Sequence, residues 1–141
     1  METVQRTTCT DCSRISYERG TALMIEAART TEGRFEADEF IANLERNYKR
    51  RGNLQRLADI AIRLEEFAER GTLRIPLQLN HLRDEIYEVK AGDVRLPFFY
   101  CTHFTGKTVR LTHGFLKQSQ KTPRKHINKA IWVMREDGAA R

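Results

Sequence analysis

DEIYEVKAGDVRLPFFYCTHFTGKTVRLTHGFLK (Asp84–Lys117) is the stretch whose punctuation decides the fold. Three runs within it, Asp84–Lys90, Val94–Cys101 and Lys107–Lys117, are rich in β-branched and aromatic residues, which suit a pleated, half-buried surface. The connections between them, Ala91–Asp93 and Thr102–Gly106, are short and carry glycine, so the three runs predict an antiparallel meander. Pro97 has no N–H to give to a ladder. The second strand is therefore expected to be an edge there or to carry a bulge.

Upstream, Phe35–Arg50 places Phe40, Ile41, Leu44 and Tyr48 on one stripe, with Glu36, Asp38 and Glu39 at its start and Lys49, Arg50 and Arg51 at its end. That distribution matches a helix dipole. Gly52 breaks this helix and Asn53 is expected to cap a second one, along which Leu54, Leu57, Ala61, Leu64 and Ala68 recur until Gly71. Thr21–Ala28 reads as a short strand and Thr72–Asn80 as a loop, while residues 1–20 show no usable periodicity and read as a flexible extension. Downstream, Thr122 and Pro123 resemble an N-cap and a first-turn proline, and Ile127, Ala130, Ile131 and Met134 supply the stripe of a last helix. The order is β-α-α-β-β-β-α. It predicts one α+β domain over residues 21–141, with a helical hairpin on one face of an antiparallel sheet, a C-terminal helix, and the other face left available.

The charge follows the same division. Of 25 Lys and Arg and 19 Asp and Glu, residues 1–70 carry 12 and 13, whereas residues 71–141 carry 13 and 6. The excess positive charge lies wholly in the C-terminal half and fits a polyanionic partner, because releasing counterions from phosphates is a sequence-independent source of affinity. Its densest patch, Lys117, Lys121, Arg124 and Lys125, falls where a strand hands over to a helix N-terminus, a natural seat for phosphate. No apolar run is long enough to span a membrane and the first twenty residues lack the apolar centre of a signal peptide, so the expected compartment is the cytoplasm. Three cysteines argue against a disulfide framework. Cys9 and Cys12 form a CxxC, and Cys101 and His103 offer two more zinc donors, but a lone CxxC in an extension is a weak signal and no metal or cofactor is expected.

IYEVKAGDVRLPFFY (Ile86–Tyr100) followed by LTHGFLKQSQKTPRKHINKA (Leu111–Ala130) resembles the RelE/ParE superfamily of toxins, in particular its HigB-like, phage Gp49-like branch. The specific part of the resemblance is the spacing of Gly114, Phe115, Lys117, Lys121, Thr122 and Pro123. It implies the toxin of a type II toxin–antitoxin system: a ribosome-dependent, metal-independent mRNA endonuclease held inactive by an antitoxin, of the helix-turn-helix HigA-like kind. Other members of the superfamily act on DNA gyrase. A non-nuclease toxin with a protein target and a phage-derived RNA-binding regulatory module without activity therefore stay open.

Cutting RNA beside a 2′-hydroxyl needs no outside nucleophile, only in-line positioning, proton transfer and neutralisation of the phosphorane. Arginine suits the phosphate because its fork binds two oxygens and keeps its charge. By the resemblance, Arg95 corresponds to the arginine on the scissile phosphate, Lys117 falls where relatives carry a second catalytic cation, and Lys90 falls near another catalytic position. His113 is a candidate general base, although its alternation with Val109, Leu111 and Phe115 also fits a packed strand histidine. Relatives often place a Tyr or His near the C-terminal end; here Pro123 occupies that vicinity and His126 is the nearest candidate. Lys121, Arg124, Lys125 and His126 are expected to contact RNA. Phe99 and Tyr100 are either core or a base-stacking pair.

Overall fold

In the computed structural model, which describes residues 4–8, 14–103 and 106–139, the chain runs β1 (Thr7–Thr8), β2 (Ile15–Arg19), β3 (Met24–Ala27), α1 (Glu36–Arg46), α2 (Asn53–Arg70), β4 (Leu79–Arg83), β5 (Ile86–Ala91), β6 (Val94–His103), β7 (Gly106–Leu111), β8 (Phe115–Leu116) and α3 (Arg124–Ala139). The strands lie in the order β1-β2-β3-β7-β6-β5-β4, with β8 on β6. The meander β5-β6-β7 is antiparallel throughout, as its short connections require. β3 joins β7 in parallel, with the helical hairpin and the meander between them in the chain, so the sheet is not antiparallel at that joint.

Sheet residues alternate between two layers. Ile25, Val89, Leu96, Phe98, Val109 and Leu111 point to the α1–α2 hairpin, where Ile41, Leu57, Ile60, Leu64 and Phe67 complete the main core. Their neighbours Ala28, Ile86 and Phe99 point the other way and are covered by Ala130 and Val133 of α3. The face expected to stay available is thus partly occupied: the apolar stripe of α3 needs a surface to bury, and this is the apolar part of that face.

Several local expectations shift. α1 ends at Arg46, so Lys49, Arg50 and Arg51 fall in the turn beyond it. Gly52, with φ of 86°, takes the cap position, and Asn53 makes no cap bond. Its amide donates to Asn47 O at 2.8 Å and its oxygen accepts from Arg56 Nη1 at 2.7 Å, so the side chain ties the turn instead. Gly71 closes α2 as expected, its N–H donating to Phe67 O. The stretch read as a loop before the meander gives way at Leu79 to β4, an edge strand paired with β5.

Within residues 1–20, β2 pairs with β3, and Val4, Arg14 and Tyr17 are buried. Tyr17 donates its hydroxyl to Asp38 Oδ1 on α1 at 2.8 Å, and the Val4 N–H donates to Glu45 Oε2. The boundary expected at residue 20 falls inside the β2–β3 hairpin, so these described residues belong to the sheet rather than to a flexible tail. Cys9, Cys12 and the side chain of His103 lie outside the described residues.

Pro97 sits in a central strand, and the bulge falls opposite it. Between the pairs Phe98–Leu111 and Arg95–Phe115, β6 advances three residues while its partner advances four. The N–H and hydroxyl of Thr112 both donate to Pro97 O, at 2.8 and 3.3 Å. A bulge re-aims the side chains beyond it, and here it sets Phe115 beside Arg95.

Candidate functional site

Along the α3 side of the meander, paired positions on β5 and β6 succeed one another at two-residue steps. Ile86 and Phe99 are buried beneath α3 at one end, Glu88 pairs with Pro97 further along, and Lys90 pairs with Arg95 two residues beyond. Arg95 thus stands directly across from Lys90, with Phe115 on its other flank. Its Nη1 donates to Gly92 O at 2.8 Å and Val94 O at 3.0 Å, which holds the guanidinium against the β5–β6 turn. Arg95 and Lys90 enter no ion pair among the described residues, whereas Arg6, Arg14, Arg34 and Arg56 do. Burial lowers the proton affinity of Arg95, opposed by the nearby charges of Glu88 and Asp93.

Glu88, not singled out from the sequence, is the acid of this face. It is 2% exposed and both carboxylate oxygens accept from Thr122 Oγ1, at 2.8 and 3.0 Å. Burial raises its pKa, against the hydrogen bond from Thr122 and the charges of Arg95 and Lys90. Thr122 therefore spends its hydroxyl on the sheet and not on capping α3, which begins at Arg124. Strand alternation carries a usable signal here: Glu88, Lys90 and Arg95 must share a face once β5 and β6 pair.

A polar relay reaches the same region. His113 is buried, with Nδ1 at 2.9 Å from Thr112 Oγ1 and Nε2 at 3.2 Å from His126 Nδ1. Burial, reinforced by His126 and Lys129, lowers its pKa to about 3, so the ring is neutral at ordinary pH. The Thr112 hydroxyl has one proton, and all three contacts are satisfied only when it goes to Pro97 O. Thr112 then accepts from His113 Nδ1–H, and His113 Nε2 accepts from His126 Nδ1–H. This assignment leaves Nε2 of His126 as a bare acceptor on a half-buried ring stacked against Phe115 at 3.7 Å. Burial, then Lys125 and Lys129, lowers the pKa of His126.

Of the remaining expected residues, Lys117, Lys121, Arg124 and Lys125 are exposed and enter no ion pair among the described residues. The Lys117 N–H donates to Asp93 O at 2.7 Å, which brings that lysine to the same turn as Arg95. The structure therefore sets Arg95 and Lys90 beside Glu88, brings Lys117 to the β5–β6 turn, and places His126 on Phe115, the neighbour of Arg95, with His113 buried behind it. Phe99 is buried under α3, and Tyr100 turns to the opposite face, edge-on to Tyr87 and Phe98, so neither offers a stacking surface beside Arg95. Among the described residues no group of three or more His, Cys, Asp or Glu side chains gathers that could hold a metal ion. No helix among them is long and apolar enough to cross a membrane.

A small α+β sheet domain with a cationic cluster at one end of its meander is the class these features define. Residues 39–135 match the family described as Phage derived protein Gp49-like, and the chain belongs to that family. The family is part of the RelE/HigB-like toxin group and gives the chain a toxin–antitoxin context, with an antitoxin as partner. A comparison with curated proteins finds no match. The matched segment runs from α1 into α3 and contains every residue of the cluster.

Proposed function

We propose that the protein is a ribosome-dependent mRNA endonuclease of a type II toxin–antitoxin system, cutting RNA by attack of a 2′-hydroxyl on the adjacent phosphate. The observation that carries this reading is the pairing of Arg95 with Lys90, two cations that enter no ion pair among the described residues, on a face that also presents a buried acid and a histidine acceptor. Arg95 and Lys90 bind the scissile phosphate and meet the charge that grows on its oxygens, a contribution made mainly in the transition state. His126 Nε2 takes the 2′-hydroxyl proton as the new O–P bond forms. The departing 5′-oxygen takes a proton from solvent at the open edge near Lys117. Glu88 holds Arg95 and Lys90 in register electrostatically and anchors Thr122, which positions the start of α3.

The test is induced expression in a bacterial host of the wild type, Arg95→Ala and Lys117→Ala, with growth recorded beside primer extension on a translated message. Cleavage within codons should fall about 100-fold or more for Arg95→Ala, the scale of losing one preorganised charge contact. Arrest should disappear with it. Arrest that persists in both variants without cuts would reject the nuclease reading and leave a protein target.

A further inference from the structure

We propose that the groove between α3 and the β4–β5 turn binds one unpaired nucleotide of the RNA substrate, with its base against Trp132 and its phosphate on Arg83 and Arg135. The groove has a volume of about 330 Å³ and is lined by Arg83, Asp84, Asn128, Ile131, Trp132 and Arg135. Trp132 is 48% exposed although the same helix buries Ala130 and Val133 completely, and its indole makes no ring contact among the described residues. A half-exposed indole offers a stacking surface to any base, worth roughly five- to 150-fold in affinity per stacked base.

The polar groups around it suit the rest of a nucleotide. Arg83 Nη2 donates to Asn128 Oδ1 at 2.6 Å, a bond that spans from β4 to α3 and fixes the guanidinium at the rim. Neither Arg83 nor Arg135 enters an ion pair among the described residues, and Asp84 is the one acid of the lining. Two forked cations flanking an aromatic face match a base and its phosphate better than an apolar protein segment, for which the groove provides little beyond Ile131 and Trp132.

Position on the helix favours the same occupant. Trp132 lies six residues beyond His126, about 9 Å along the axis at 1.5 Å per residue. Arg124, Asn128 and Trp132 recur at four-residue spacing, so one exposed stripe leads from the basic start of α3, where His126 lies, to the groove. A strand held at Arg95 can lay a neighbouring nucleotide there. This inference rests on RNA being the substrate of the proposed reaction.

Trp132 is the single tryptophan of the chain, so intrinsic fluorescence reports the groove directly. The probe is a short 2′-O-methyl oligoribonucleotide, which cannot be cut, titrated into the full chain while anisotropy of a labelled copy reports binding independently. The expected result is saturable quenching that parallels the anisotropy. Arg83→Ala and Trp132→Ala should each weaken anisotropy-detected binding about tenfold, and Trp132→Phe should restore it. Binding without quenching, or unchanged affinity in Trp132→Ala, overturns the groove assignment while leaving the cleavage reading intact. No binding by either signal, together with no cutting of message, overturns both. Quenching by an acidic protein but not by the oligonucleotide also overturns it and assigns the groove to protein docking.

Discussion

At His113, burial decides both chemistry and stability. The ring is 4% exposed, packed beside Phe115 and bonded through both nitrogens, with His126 and Lys129 adding positive charge nearby. Its folded pKa of about 3 lies below the ordinary 6.5, so the folded state refuses a proton that the unfolded chain accepts. The stability contributed by the neutral ring is complete above pH 6.5 and is lost as pH falls towards 3, at about 1.4 kcal/mol per unit. Denaturant melts between pH 7.5 and 5 should therefore show His113→Gln with a flatter decline than the wild type, by up to one proton's worth of slope. An identical slope would mean that the ring takes up its proton as readily in the folded state as in the unfolded chain. The sequence shows His113 as a histidine alternating with apolar residues, which leaves catalysis and packing both open. Only the long-range contact with His126 separates the two. The face of Glu88 follows from strand alternation, but its burial does not: a strand carboxylate looks solvent-facing until Thr122, 34 residues later, arrives to cover it.

α3 is held both by its apolar stripe and by a buried charge network at its C-terminal end. Asp137, 1% exposed, accepts from Arg14 Nη1 at 2.6 Å, from Arg110 Nη1 at 2.7 Å and from the Arg29 N–H at 2.8 Å, while Arg110 Nε also donates to Glu26 at 3.0 Å. One carboxylate thereby joins α3 to β7 and to the segments flanking β2 and β3. Breaking such a pair leaves a buried cation without its partner, which costs about 3–5 kcal/mol. Asp137→Ala should lose that much in urea unfolding, and a loss below about 1 kcal/mol would show that Arg14 and Arg110 reach water when their partner goes. The same network marks the limit of what the sequence discloses at the level of elements. The meander and the helical hairpin are legible because periodicity and glycine are local signals. β2 and β4 are not, since each is a five-residue strand with mixed polarity that is defined by its partner. The parallel joint of β3 to β7 is a pairing across more than eighty residues that no local pattern announces.

Across the whole molecule the two halves divide the charge. The acids of residues 1–70 are largely engaged within the fold, with Asp38 and Glu45 on Arg6, Glu39 on Arg34, and Glu36 on Lys129. The cations of residues 71–141 that surround Arg95 have no such partners among the described residues, and Lys121, Arg124 and Lys125 extend the positive surface onto α3. A surface of unpaired cations binds polyanions by displacing counterions, so affinity for single-stranded RNA should fall linearly with the logarithm of salt concentration. Each phosphate contact removed should lower the slope by roughly 0.7, and Lys121→Ala, Arg124→Ala and Lys125→Ala combined should lower it by about 2. These side chains are exposed, so the triple variant should keep its unfolding midpoint almost unchanged, which separates lost contacts from lost structure. Titrations at several salt concentrations decide the matter. An unchanged slope in the triple variant would mean that these three cations are merely solvated and that the phosphates lie on the Arg95 face alone.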